Sequence, residues 1–191
     1  MKIIYLNGAS SSGKTSLSKA LQEILPDNYL HIGIDTLISL MPQKTNNFCS
    51  LSEKEGFYYR EVLLPNNEIG KRVVAGPYGK QVNTAFHQVV NNLLTTGHNL
   101  IIDDVADGAC EVSIWEQELQ AHSLTKIAVM CSLPELVTRE KSRADRMQGS
   151  AMEQYYRVHE NVVYDLDVYT DKYSTIQCAQ QIVDYIAKKH I

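Results

Sequence analysis

The sequence is sparing with every pattern that builds a metal cage or a disulfide framework. Its four cysteines, Cys49, Cys110, Cys131 and Cys178, lie far apart, with no C-x-x-C pair and no clustered histidines. Neither a structural metal site nor a disulfide scaffold is indicated, and we read the cysteines as thiols of a reducing cytoplasm. Surplus positive charge is also missing. Eighteen Lys and Arg against 22 Asp and Glu give a formal net charge of -4, which leaves no basic footprint for a long nucleic acid or an anionic membrane. No stretch approaches the roughly 18 apolar residues of a spanning helix, and the apolar run after Lys2 is too short for a signal-peptide core. Export and anchoring are therefore not expected, and the expected location is the cytoplasm.

What is present is ordinary for a globular protein. The chain has 191 residues, 44% of them hydrophobic and 21% charged, enough to bury one substantial core in one domain with an insertion. Short apolar runs at 2–6, 29–35, 99–104 and 126–131, with a more alternating one at 162–170, read as five strands. The last is expected at a sheet edge. Helical spacing of Leu17, Ala20, Leu21, Ile24 and Leu25, and of Val82, Phe86, Val89, Val90, Leu93 and Leu94, marks two amphipathic helices, the second closed by Gly97. A short helix is expected before Pro42 and another over 112–119. Ser132 with Glu135, and Ser174 with Gln177, have capping-box spacing ahead of two more helices. Strands separated by helices predict an α/β fold, a parallel sheet covered on both faces. Residues 43–80 show no sustained period and are assigned to an insertion.

The densest signal is "GASSSGKT", Gly8 to Thr15, between the first strand and the first helix. It satisfies G-x-x-x-x-G-K-[ST], in which small residues let backbone N–H groups curve around phosphate oxygens and a helix N-terminus adds partial positive charge. Gly8, Ala9, Ser10, Ser11, Ser12, Gly13, Lys14, Thr15 and Ser16 are thus the nucleotide-binding candidates. Lys14 supplies a full charge for the β- and γ-phosphates of ATP, and the Thr15 hydroxyl is placed to ligate Mg²⁺. The plainer alternative is a flexible serine-rich turn. A G-x-S-x-G nucleophile elbow is excluded, because the second glycine comes one position too late.

Acidic residues that follow strands point to the same end of a parallel sheet as the phosphate loop. Asp103 and Asp104 close the run "LII" and are the remaining metal candidates; strand parity turns them to opposite faces, so only one should reach the metal, and Asp103 is preferred, with a turn-forming Asp pair as the plainer alternative. Asp35 ends the second apolar run and is the candidate base that takes the proton of an acceptor hydroxyl. A helix N-cap is the competing role for it. Arg139, Arg143 and Arg146 recur at spacings of four and three, along one side of a helix. They read as a lid over the triphosphate, with Gly149-Ser150 as its hinge, or as a solvated face paired with Glu135, Glu140 and Asp145.

Taken together, "LNGASSSGKTS", "GIDTLISLMP", "LIIDDV", "RADR" with "GSAMEQ", and "VHENVVYDLDV" with the later Cys178-Ala179 resemble the chloramphenicol phosphotransferase family of P-loop kinases, in the family's order and over nearly the whole chain. The resemblance implies a P-loop kinase fold, ATP with Mg²⁺, and transfer to a hydroxyl of a small molecule, including an antibiotic. It assigns Asp35 as base, Lys14 and Thr15 to phosphate and metal, and Arg139, Arg143 and Arg146 to the lid. Residues 43–80 match poorly apart from Gly76-Pro77, so the acceptor stays open. Phe57, Tyr58 and Tyr59 either stack on an aromatic acceptor or pack the insertion onto the core. His159 is expected as a structural hydrogen-bonding residue on a helix. A nucleotide or nucleoside kinase and an adenine-nucleotide-dependent regulatory protein are the alternatives, and a homo-oligomer is compatible with either. "TKIA" at 125–128 lacks the aspartate of a guanine-specific element, which argues against a GTPase.

Overall fold

The computed structural model describes residues 1–45, 54–143 and 147–189. Five parallel strands form the sheet: β1 (Lys2–Asn7), β2 (Tyr29–Gly33), β5 (Asn99–Asp104), β6 (Ser123–Met130) and β7 (Leu166–Tyr169), in the order β2-β5-β1-β6-β7. The first strand therefore lies at the centre and β7 at an edge. Because strand side chains alternate, β1 sends Ile4 and Leu6 to one face and Ile3 and Tyr5 to the other, all of them buried. A strand buried on both sides reads as an unbroken apolar run, which is what "KIIYL" is.

Each face has its own helices. Leu17 and Leu21 of α1 (Lys14–Ile24) and Ala179 and Ile182 of α7 (Thr175–Lys189) cover Ile4, Leu6 and Ile127. On the other face, Phe86, Val90 and Leu94 of α3 (Pro77–Thr95) and Trp115 of α4 (Gly108–Glu118) cover Ile3, Tyr5 and Ile102. Each such fully buried aliphatic chain contributes about 1.5–3 kcal/mol. The remaining helices are α2 (Ile34–Ile38), α5 (Leu133–Lys141) and α6 (Ser150–Tyr155). No helix among the described residues is long and apolar enough to cross a membrane.

Several local expectations shift. Within residues 43–80 lies an antiparallel hairpin, β3 (Phe57–Leu63) and β4 (Ile69–Ala75), turned by Pro65-Asn66-Asn67 with Asn67 at φ 64°. Helix α3 starts at Pro77, not near Val82, because proline at the first helical position loses no hydrogen bond. The Ser132–Glu135 capping box does not form: the Ser132 N–H donates to Asp171 Oδ2 at 3.0 Å, and Glu135 instead pairs with Arg139. The Ser174–Gln177 box does form, with N–H···O contacts of 2.9 and 3.3 Å. Gly149-Ser150, expected as a hinge, opens α6. There the buried Glu140 carboxylate accepts from Gly149 N (2.7 Å), Ser150 Oγ (2.8 Å) and Ala151 N (2.7 Å).

Asn7 is fully buried where β1 ends. Its Nδ2 donates to Val158 O at 2.7 Å and Tyr164 Oη at 2.8 Å, and its Oδ1 accepts the Ala106 N–H at 2.9 Å. His159 lies in the turns that follow α6, not on a helix; its Nδ1 is 2.9 Å from Tyr164 Oη. Burial, with the nearby Lys14 charge, lowers the His159 pKa to about 4, and burial raises that of Tyr164 to about 12.

Two outcomes follow for stability. Asn7→Ala strands buried polar groups on three segments and is expected to cost about 3 kcal/mol in urea unfolding; a loss below about 1 kcal/mol would show that water replaces the side chain. The neutral form of His159 favours the fold fully above its unfolded pKa near 6.5, and this contribution is lost as pH falls through about 4. His159→Gln keeps an acceptor for Tyr164 without titrating, so its stability should fall less than the parent's between those limits. Equal slopes would remove His159 from the acid response.

Candidate active site

The phosphate loop is shaped by two left-handed residues, Ser11 (φ 65°) and Gly13 (φ 95°), after which α1 begins at Lys14. Only glycine takes the second of these positions without strain. A side chain at Gly8 would sit 2.6 Å from Val129 O, so the loop can lie close over β6 only because Gly8 has none. Two contacts pin the loop from either side. Its Ser10 N–H donates to Gln154 Oε1 of α6 at 2.6 Å, and Thr170 Oγ1, just past β7, donates to Ser12 O at 2.7 Å.

Lys14 is buried, and its Nζ donates to the carbonyls of Gly8 (2.7 Å) and Ala9 (2.9 Å) while lying 3.9 Å from Asp103 Oδ1. Thr15 Oγ1 donates to Asp103 Oδ2 at 2.8 Å, and His31 Nε2 approaches the same oxygen at 3.5 Å. Burial alone would push the Asp103 carboxyl up. The Lys14 ammonium, together with the nearby His31 ring and the Thr15 hydroxyl donor, outweighs that and holds it below the ordinary aspartate value. Asp103 is therefore an anion at neutral pH.

Asp104 faces the other way. Its Oδ2 accepts from Tyr5 Oη at 2.7 Å and Trp115 Nε1 at 2.9 Å, and its Oδ1 from the Val105 N–H at 2.7 Å. The two adjacent carboxylates thus serve different faces, one under the loop and one tied to the aromatic core.

One cleft of about 1270 Å³ connects these groups with Asp35. Strand β2 stops at Gly33, so Asp35 stands in the first turn of α2 and not at a strand end, and the N-cap position belongs to Gly33. A side chain at Gly33 would meet Asp103 O at 2.8 Å; its absence lets β2 run close beside β5, bringing Asp35 to the same cleft as the phosphate loop. Arg139 lines the cleft beside Gly13, its Nε held by Glu135 at 2.8 Å and its Nη2 donating to Thr170 O at 2.9 Å. Arg143 lines the cleft as well, on an exposed position past α5. Arg146 lies outside the described residues.

Of the hairpin aromatics, Phe57 packs into a cluster with Met41 and Val82, Tyr59 lines the cleft, and Tyr58 meets Lys54 at 5.6 Å from its ring centroid. Sequence reasoning missed Gln154, Arg72, Asp107 and Arg157 at the cleft. Gln154 stands within the quoted "GSAMEQ", and its contact with Ser10 spans 144 residues, a distance no local pattern signals.

The residues fit a bound triphosphate and a hard cation. The hydroxyls of Ser10, Ser11 and Ser12 are buried and have no hydrogen-bond partner among the described residues, which is the condition of donors awaiting an anion. Thr15 Oγ1 and the Asp103 carboxylate present paired oxygen ligands. No group of three or more His, Cys, Asp or Glu side chains able to hold a metal occurs among the described residues. The split roles of the carboxylates predict split phenotypes. Asp104→Asn sets an amide against two donors and should cost about 1–3 kcal/mol and shift the emission of the single tryptophan, Trp115. Asp103→Asn should leave that emission unchanged; the opposite pattern would contradict the facing described here.

Over residues 1–187 the chain matches the family model described as "Chloramphenicol phosphotransferase-like protein". A Mycobacterium tuberculosis H37Rv protein named "Putative O-phosphotransferase" is 26% identical over 189 residues, covering 95% of this chain and 80% of that protein. Among solved structures, the M. tuberculosis APS kinase in complex with AMPPNP and APS is similar with a TM-score of 0.62 at 13% identity, covering 97% of each chain. A gluconokinase from Sinorhizobium meliloti 1021 gives 0.63 at 15% identity, covering 98% of this chain and 92% of that one. These structures share the P-loop kinase fold. With that fold, the phosphate loop and a family match over almost its full length, this chain belongs to the chloramphenicol phosphotransferase-like family and is a P-loop phosphotransferase.

Proposed function

We propose that the protein moves the γ-phosphoryl group of ATP to a hydroxyl of a small molecule, a chloramphenicol-like antibiotic or a related alcohol. The observation that carries this reading is the shared cleft, in which Asp35 faces the same space as Lys14, Thr15 and Asp103. The curated relative's name, an O-phosphotransferase, supports transfer to oxygen.

In this reading the backbone of residues 8–15 and the orphaned serine hydroxyls hold the phosphate tail, and Lys14 supplies a full charge to the β- and γ-phosphates once its Nζ turns from the Gly8 and Ala9 carbonyls. Thr15 Oγ1 and Asp103 would hold Mg²⁺, which when bound neutralises charge on the phosphate oxygens. The other carboxylate candidate, Asp104, is committed to Tyr5 and Trp115, so of the two aspartates we assign the metal role to Asp103. Asp35 accepts the acceptor's hydroxyl proton as that oxygen bonds to phosphorus and the bond from phosphorus to ADP breaks. Arg139, beside Gly13, and Arg143 add positive charge to the cleft, and Arg146 is proposed for the same lid.

The test is incubation with ATP, Mg²⁺ and a panel of chloramphenicol, sugars, nucleosides and metabolite alcohols, with mass spectrometry for phosphorylated product. Once an acceptor is found, Asp35→Asn should keep ATP affinity within a few fold and reduce kcat by about 10²- to 10⁴-fold. Lys14→Ala should lower both affinity and rate. Undiminished turnover of Asp35→Asn would remove that residue from the chemistry.

A further inference from the structure

The cleft that holds the phosphate loop is also lined by a mixed cluster of charges drawn from three elements. Arg72 of β4 donates through Nη2 to Asp107 Oδ2, and Arg157, past α6, places Nη1 3.2 Å from Asp107 Oδ1. Behind them the buried Glu153 of α6 accepts Arg157 Nε at 2.9 Å and Nη2 at 3.2 Å and lies 3.8 Å from Arg72 Nε. Asp107 occupies the N-cap position of α4 yet makes no capping hydrogen bond with its side chain. A capping bond is generally worth about 1 kcal/mol, and here the carboxylate is turned instead to the arginines. Its N–H is fixed by Glu111 Oε2 at 2.7 Å.

The cluster is paired internally and still faces the cleft: the side chains of Arg72 and Asp107 are 32% and 38% exposed. That combination discriminates between acceptor classes. An apolar aryl alcohol would strip water from both groups and return few hydrogen bonds. An anion would meet Asp35, Asp107, Glu111 and Glu118, which line the same cleft. A cation would meet Arg72 and Arg157. A neutral molecule with several hydroxyls donates to the carboxylates and accepts from the guanidiniums at once, without displacing either charge. A flat shelf lies nearby, where His87 stacks on Trp115 at 3.9 Å and 14° while its Nδ1 is 2.7 Å from Glu118 Oε2.

We propose that the acceptor is a neutral polyhydroxylated small molecule, gripped through neighbouring hydroxyls by Arg72, Asp107 and Arg157. This rests on the phosphotransfer reading above and narrows its acceptor. The experiment compares kcat/KM of the unmodified enzyme for cyclic and open-chain polyols, for their phosphorylated or carboxylated counterparts, for amine-bearing counterparts, and for an aryl alcohol with a single hydroxyl. The best neutral polyol should exceed the aryl alcohol by about a hundredfold, because a site built to hydrogen-bond hydroxyls rejects a ligand that leaves them unpaired. Arg72→Gln and Asp107→Asn should each raise the KM for that polyol by about tenfold, with Arg72→Lys intermediate and ATP affinity unchanged. A single-hydroxyl aryl alcohol, an anion or an amine serving as the best acceptor, or variants with unaltered KM, would overturn the polyol assignment and leave phosphotransfer standing. ATP binding with no transfer to any member of the panel would overturn both.

Discussion

The site is organised around one buried cation. Lys14 has lost nearly all its water, and an uncompensated ammonium in that position would cost several kcal/mol. It is compensated by two carbonyls of its own loop and by the Asp103 carboxylate. The loop that carries those carbonyls bends through left-handed geometry at Ser11 and Gly13 before α1 returns Lys14 to them. The carboxylate is there only because β5 runs beside β1 in a register that sets Asp103 opposite Leu6. Sheet order, loop curvature and charge placement are in this sense one constraint.

That constraint also explains why two neighbouring aspartates behave differently. A strand turns successive side chains to opposite faces, so one of the pair must meet the loop and the other the aromatic layer. Asp103 is drawn into the charge system of Lys14, whereas Asp104 is tied by Tyr5 and Trp115 into the hydrophobic layer beneath α3 and α4. The catalytic end of the sheet is braced by polar contacts on both of its faces.

Much of this architecture is written in short-range pattern. The central strand, the phosphate loop and α1 are contiguous, and their periodicities need no knowledge of the rest of the chain. The five parallel strands and the edge position of β7 follow from the same arithmetic. The hairpin of β3 and β4 is less legible, because the charged pair Arg60-Glu61 interrupts the apolar run between Tyr59 and Val62 and breaks the two-residue period, although Pro65-Asn66-Asn67 is a turn signal. The site's missing members are of another kind. Gln154, Asp107 and Arg157 act through contacts that join distant segments, and nothing in "DVADGA" or "QYYRVHE" announces an ion pair between them. The failed box at Ser132 shows the converse: local spacing was correct, and a tertiary partner, Asp171, took the backbone group.

The most direct test of the central claim is a crystal structure with ADP, Mg²⁺, aluminium fluoride and the acceptor identified by turnover. The account predicts a planar fluoride against the loop near Lys14, the acceptor hydroxyl in line on its far side, and an Asp35 oxygen about 2.6–3.2 Å from that hydroxyl. A complex with the fluoride seated in the loop and a different side chain, or none, within reach of the hydroxyl would contradict it.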